Sequence, residues 1–169
     1  MGKPCVQDVS FSKCDSSHVG KLCLQLNCNS DCIHVLRSMV AVMTARAGMT
    51  ELRSNRVAIA VDELFANIAS HAYGGNAGRI ELETCIGGLP EHGQVLIFDF
   101  RDFASKTWNG NIQDVANQPN DFDNICPGGL GLKLIYSVSD CCEHTVLEDG
   151  NHWRLVFNIE DGENDGCNA

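Results

Sequence analysis

No stretch of this 169-residue sequence is apolar over the twenty or so residues that a membrane-crossing helix needs. The start at Met1 also lacks a basic segment followed by an apolar one, so a cytoplasmic chain with no membrane partner is expected. Paired Cys-x-x-Cys spacing is missing as well. The ten cysteines are about 6 % of the chain, below the level of a disulfide scaffold. Neither Cys28 and Cys32 with His34 nor the adjacent Cys141 and Cys142 has zinc-ribbon spacing, and buried thiols are the expectation. Basic residues are scarce: 12 Lys and Arg against 22 Asp and Glu leave a net charge of -10. Nucleic acid requires clustered cations, so the balance argues against it as the main ligand and leaves magnesium nucleotides open. There are no internal repeats, and the length suits one core and one domain.

What the chain has is a stripe. In Glu63-Leu64-Phe65-Ala66-Asn67-Ile68-Ala69-Ser70-His71-Ala72-Tyr73, the polar Glu63, Asn67 and His71 recur every fourth residue. On a helix, Val57, Val61, Leu64, Ile68 and Ala72 form an apolar stripe, and the polar trio forms a second one roughly 80 to 100° away. One stripe packs, and the other faces solvent or holds a ligand.

Around that helix the periodicities alternate between two and 3.6. Residues 1 to 20, with Val6, Val9 and Phe11, read as an arm or edge strand, and Lys21 to Asn27 as a half-buried strand with Leu22, Leu24 and Leu26 on one side. Ser30 or Asp31 can cap a helix through Ile33, Leu36, Val40 and Met43 that Gly48 ends. Thr50 caps the next, from about Glu51 to Ala72, which stops at Gly74-Gly75. Gly78 to Ile86 and Val95 to Phe100 alternate as strands, with Gly87-Gly88-Leu89-Pro90 as the turn of an antiparallel hairpin. Phe103 to Gly129 shows no period, and a stretch of that length suits a functional lid, placed at about 103 to 128. Gly128 to Val138 is a glycine turn entering an apolar helix. Cys142 to Leu147 and Trp153 to Ile159 form a hairpin about Glu148-Asp149-Gly150-Asn151, and residues 161 to 169 form an acidic tail. The order predicts an α+β two-layer sandwich over residues 21 to 160, its antiparallel or mixed sheet covered on one face by three helices.

Three pieces can carry chemistry. Free amides at Gly128, Gly129 and Gly131 would attract phosphates at a helix N-terminus; the glycines equally serve as a plain tight turn, and they match neither the P-loop nor the dinucleotide pattern. Asp102, leaving a buried strand, can accept a hydrogen bond from an adenine amino group or satisfy its own loop amides. Asn67 offers magnesium a neutral oxygen, or bonds between helices. Glu63, one turn away, can take a proton from an attacking hydroxyl or remain a surface carboxylate. His71 reads more as a packed or capping histidine than a catalytic one.

The order and type of these pieces resemble the GHKL ATPase superfamily, and within it the bacterial anti-sigma-factor serine kinases. The segment from Glu63 to Tyr73 looks like that family's N box, and Gly129-Leu130-Gly131-Leu132-Lys133-Leu134-Ile135 like its second glycine box. The resemblance covers about residues 20 to 160 and implies the Bergerat-type ATP-binding fold, with ATP and Mg2+ as cofactors. It implies Glu63 as general base and Asn67 as metal ligand. Asn67, His71, Asp102, Ala104, Gly128, Gly129, Leu130, Gly131 and Leu132 are the implied nucleotide contacts. Asp102-Phe103-Ala104 stands where the family has Asp-x-Gly, and Cys126 and Pro127 where some members carry an Arg. The implied partners are a sigma factor and a STAS-domain anti-anti-sigma protein bound by a homodimer. The alternative is a non-catalytic module of the same fold that sequesters a sigma factor or another regulator.

Overall fold

Period-two alternation of apolar side chains builds five strands, and the computed structural model describes residues 20–28, 32–89, 93–117 and 129–160. The strands are β1 (Leu22–Asn27), β2 (Arg79–Leu89), β3 (Gly93–Asp102), β4 (Cys141–Leu147) and β5 (Gly150–Asn158). They form one sheet in the order β1-β2-β3-β5-β4, with every neighbouring pair antiparallel. The helices are α1 (Cys32–Arg46), α2 (Glu51–Asn67), the short α3 (Ile112–Asn117) and α4 (Gly129–Val138).

Register aligns the core in rows. Leu24, Leu82, Phe100, Trp153 and His144 are successive partners across all five strands, and Leu26, Ile80, Asp102, Asn151 and Val146 form the next row. Most of these side chains lie on the helix-facing side, where Leu36, Met43, Val57, Val61, Leu64 and Ile135 bury against them. Asp102 and Asn151 are therefore adjacent polar groups at the end of an otherwise apolar stripe. On the opposite face, Asp99 is buried between Arg154 and His152, and Cys85, Val95, Ile97, Cys141 and Val156 form a second small cluster.

The helix ends follow their local chemistry. Gly48 takes a φ of +68° after α1, and Met49 N–H reaches back to the Thr44 carbonyl at 3.1 Å. The Thr50 hydroxyl accepts from Arg53 N–H at 3.4 Å to open α2, which lies against both α1 and α4. Arg37 and Asp62 tie α1 to α2 with a 2.7 Å ion pair.

Three expectations change. The expected helix to Ala72 is α-helical only to Asn67; Ile68–Ala72 is a π turn, closed by a 3.1 Å bond from Tyr73 N–H to the Ile68 carbonyl. The Tyr73 hydroxyl holds that end, donating to the Arg79 carbonyl and accepting from Phe103 N–H at 2.9 Å. Gly87, Gly88 and Leu89 do not turn but extend β2, paired with Val95, Gln94 and Gly93, because ladder pairing outweighs the weak strand preference of glycine. The stretch expected to be structureless contains α3. The terminal arm up to residue 19, the acidic tail, the Ser30 or Asp31 cap and lid residues 118–128 lie outside the described residues.

Candidate functional site

Asp102 is the last residue of β3, and strand alternation aims its side chain with Leu96, Phe98 and Phe100 into the helix layer, where it is fully buried. Its Oδ1 accepts from Ala104 N–H at 3.2 Å and from Asn151 Nδ2 at 3.0 Å. Its Oδ2 is buried and meets no donor among the described residues. Burial pushes the carboxyl above the usual range, against the hydrogen bonds from Asn151 and Ala104.

A cavity of about 290 Å3 opens beside it. The π turn and the end of α2 contribute Asn67, Ile68, His71 and Ala72; α4 contributes Leu132; Lys106, Thr107, Trp108, Asn151 and Trp153 complete the lining with Asp102. A π turn widens the helix by one residue per ring, and here it carries His71 and Ala72 to the cavity edge. His144 packs against both tryptophans, 5.1 Å from Trp108 and 4.1 Å from Trp153 between ring centroids, and burial lowers its pKa.

Gly131 brings α4 against the polar stripe. A Cβ there would lie 3.0 Å from both Asn67 Nδ2 and Glu63 Oε2, so the glycine permits an approach that a side chain would crowd. Asn67 Nδ2 is buried and has no partner among the described residues.

The candidate residues divide into groups. Asn67, His71, Asp102 and Leu132 line the cavity, and His71 is exposed at its edge rather than packed. Glu63 is half-buried beside Gly131, outside the cavity lining. Ala104 is buried, bonds Asp102 through its N–H and does not line the cavity; no described non-glycine residue has a positive φ, so the backbone there does not require glycine. Gly129 begins α4 and Leu130 is exposed, while Gly128, Cys126 and Pro127 lie outside the described residues. Sequence reading missed Lys106, Trp108, Asn151 and Trp153. Asn151 did leave a signal, as a polar residue in phase with Trp153, Leu155 and Phe157.

A five-stranded antiparallel sheet under one helical layer, with a cavity between a buried carboxylate and a glycine-led helix, defines an ATPase-type α+β sandwich. Residues 29–157 match the Histidine kinase-like ATPase domain, and the chain belongs to that family, within the GHKL superfamily. No curated protein matches the chain.

Domains of this family bind ATP, usually with Mg2+. The residues present fit a nucleotide: Asp102 Oδ2 is a buried acceptor awaiting a donor, and the bare Gly131 backbone stands at a helix N-terminal turn. No group of three or more His, Cys, Asp or Glu among the described residues could hold a metal alone, so Mg2+ would rest on Asn67, phosphates and water. Among the described residues, no helix is long and apolar enough to cross a membrane.

Proposed function

We propose that the chain is a protein serine kinase that uses Mg-ATP in this cavity and acts in a partner-switching system. The observation that carries the reading is one arrangement: Gly131 packs on Glu63 and Asn67, and Asn67 lines the same cavity as the unsatisfied Asp102 carboxylate. Bound Mg-ATP would supply the transferable phosphoryl group. Asp102 Oδ2 would accept from the adenine amino group. The backbone amides of Gly129 and Gly131 would face the phosphates, Asn67 would hold the metal, and His71 and Leu132 would flank the nucleotide. Glu63 would take the proton from a partner's serine hydroxyl, so catalysis would consist of positioning and charge neutralisation.

By the same resemblance, the phosphorylated partner is a STAS-type anti-anti-sigma protein, the sequestered one a sigma factor, and the acting form a cytoplasmic homodimer. The position of Glu63 outside the cavity lining favours a second reading, a binding module that holds a regulator without phosphoryl transfer.

Labelled Mg-ATP with a candidate STAS partner separates the two. The kinase reading expects transfer to serine that falls at least ~100-fold in Glu63→Ala, with nucleotide affinity kept within a few-fold. Undiminished transfer by that variant would eliminate Glu63 as the base, and absence of nucleotide binding would leave only the module.

A further inference from the structure

We infer that Asn151 is a positioning residue that leaves Asp102 a single free acceptor, so that the site discriminates an amino-bearing base from its keto counterpart. The inference rests on the adenine reading of Asp102 and adds the device that enforces it. The Asn151 carboxamide has four hydrogen-bonding positions, and four partners surround it. Its Nδ2 donates to Asp102 Oδ1 at 3.0 Å and to the Lys106 carbonyl at 3.3 Å. Its Oδ1 accepts from Trp108 N–H at 3.2 Å and faces His144 Nε2 at 3.1 Å.

These partners fix the amide orientation. Asp102 Oδ1 and the Lys106 carbonyl are acceptors and require the NH2 group, while the Trp108 N–H requires the oxygen. His144 must then carry its hydrogen on Nε2, because it faces an acceptor. A carboxamide saturated in this way has nothing left for a ligand, so its influence on the base acts through Asp102.

The consequence falls on the carboxylate. With Oδ1 held by Asn151 Nδ2 and Ala104 N–H, rotation of the carboxylate that would exchange its two oxygens is opposed, and of the two only Oδ2 remains unsatisfied. One buried acceptor rewards an amino group and penalises a carbonyl, whose lone pairs would face the carboxylate. The same amide pins residues 106 to 108, so one residue on β5 holds the carboxylate and this part of the cavity lining in a common geometry.

ATP and inosine triphosphate, which carries a keto group in place of the amino group, test this by equilibrium dialysis with no need for turnover. Wild type should favour ATP by about tenfold or more, the worth of one charge-assisted hydrogen bond. In Asn151→Ala the ratio should fall toward one. Asn151→Ser, which retains a single hydroxyl donor, should recover part of it and serves if the alanine variant fails to fold. A pH series gives a readout that a merely structural role would not move. The preference should vanish as Asp102 protonates, and at a higher pH in Asn151→Ala than in wild type, because a bond to the charged form is lost. Tyr73 and Cys28, which also influence Asp102, touch no atom that the substitution removes; His144 loses its Asn151 Oδ1 partner and its pKa falls further, so a His144→Gln background, free of that titration, carries the same comparison.

If both nucleotides weaken by the same factor in Asn151→Ala, with ratio and pH midpoint unchanged, Asn151 is structural only and the inference fails. A wild type that binds ATP and inosine triphosphate equally overturns the adenine reading of Asp102 and this inference with it.

Discussion

Asp102 sets stability against binding within one side chain. Burial raises its pKa, so the folded state holds the proton more tightly than the unfolded chain does. Stability therefore declines as pH rises from the unfolded carboxylate value, near 3.9, through the higher folded one, and the ionised group is a cost at neutral pH. Asp102→Asn keeps an oxygen for the Ala104 and Asn151 donors and removes the charge. Urea unfolding at pH 7 should show it as stable as wild type or more so, by about 1 kcal/mol, while dialysis shows ATP affinity reduced by about tenfold or more. A variant that loses stability and keeps ATP would contradict this account. The importance of Asp102 was legible because its acidic end breaks the alternation of Leu96, Phe98 and Phe100. Asn151 carries the same mark, yet its pairing with Asp102 depends on the β3–β5 register, which joins strands 49 residues apart by a contact that no local pattern specifies.

At the level of elements, α2 and α4 meet through a glycine. Placing a methyl at Gly131 costs about 1 kcal/mol in crowding against the ends of Asn67 and Glu63, and alanine returns about the same amount in helix propensity. Gly131→Ala should therefore leave the urea midpoint nearly unchanged and still lower ATP affinity and any phosphoryl transfer by about tenfold, since the stripe must shift. Equal affinity in the variant would show that this contact does not matter to the ligand. The start of α2 at Thr50 was readable from its cap, and the end of α1 from Gly48. The π turn was not, because the Tyr73 hydroxyl contacts that hold its end go to the Arg79 carbonyl in β2 and to Phe103 N–H just past β3. Local propensity also led to a turn at Gly87-Gly88 where ladder pairing makes a strand.

Across the whole molecule, the sheet's two faces answer to pH in opposite ways. Asp99 is buried, which alone would raise its pKa, but hydrogen bonds from His152 and Arg154 more than offset this and hold it below the usual range. A depressed carboxylate stabilises the fold above its unfolded value, near 3.9, and that contribution is lost as pH falls through the folded one. Asp99→Asn should cost about 3 kcal/mol at pH 7, because the buried Arg154 loses the carboxylate that accepts two of its hydrogen bonds and retains the smaller attraction of Glu143. Urea unfolding should show the gap from wild type closing as pH drops below the carboxylate range; a constant gap would mean that the cost is packing alone. The α+β sandwich and its order of helices and strands were legible in the sequence because each element announces itself by period. The all-antiparallel pairing and the reversal of sequence order at β5 and β4 arise from contacts far apart in the chain.

The Trp108–His144–Trp153 cluster also makes the molecule an optical instrument. The sequence has two tryptophans, and both line the cavity with ring centroids 5.4 Å apart. Excitation at the red edge of protein absorption thus interrogates a single spot, with no emission from elsewhere to dilute it. The imidazole packed against both rings, its pKa lowered by burial, becomes a stronger quencher once acid charges it. The intrinsic fluorescence of this protein is, in effect, the spectrum of its cavity.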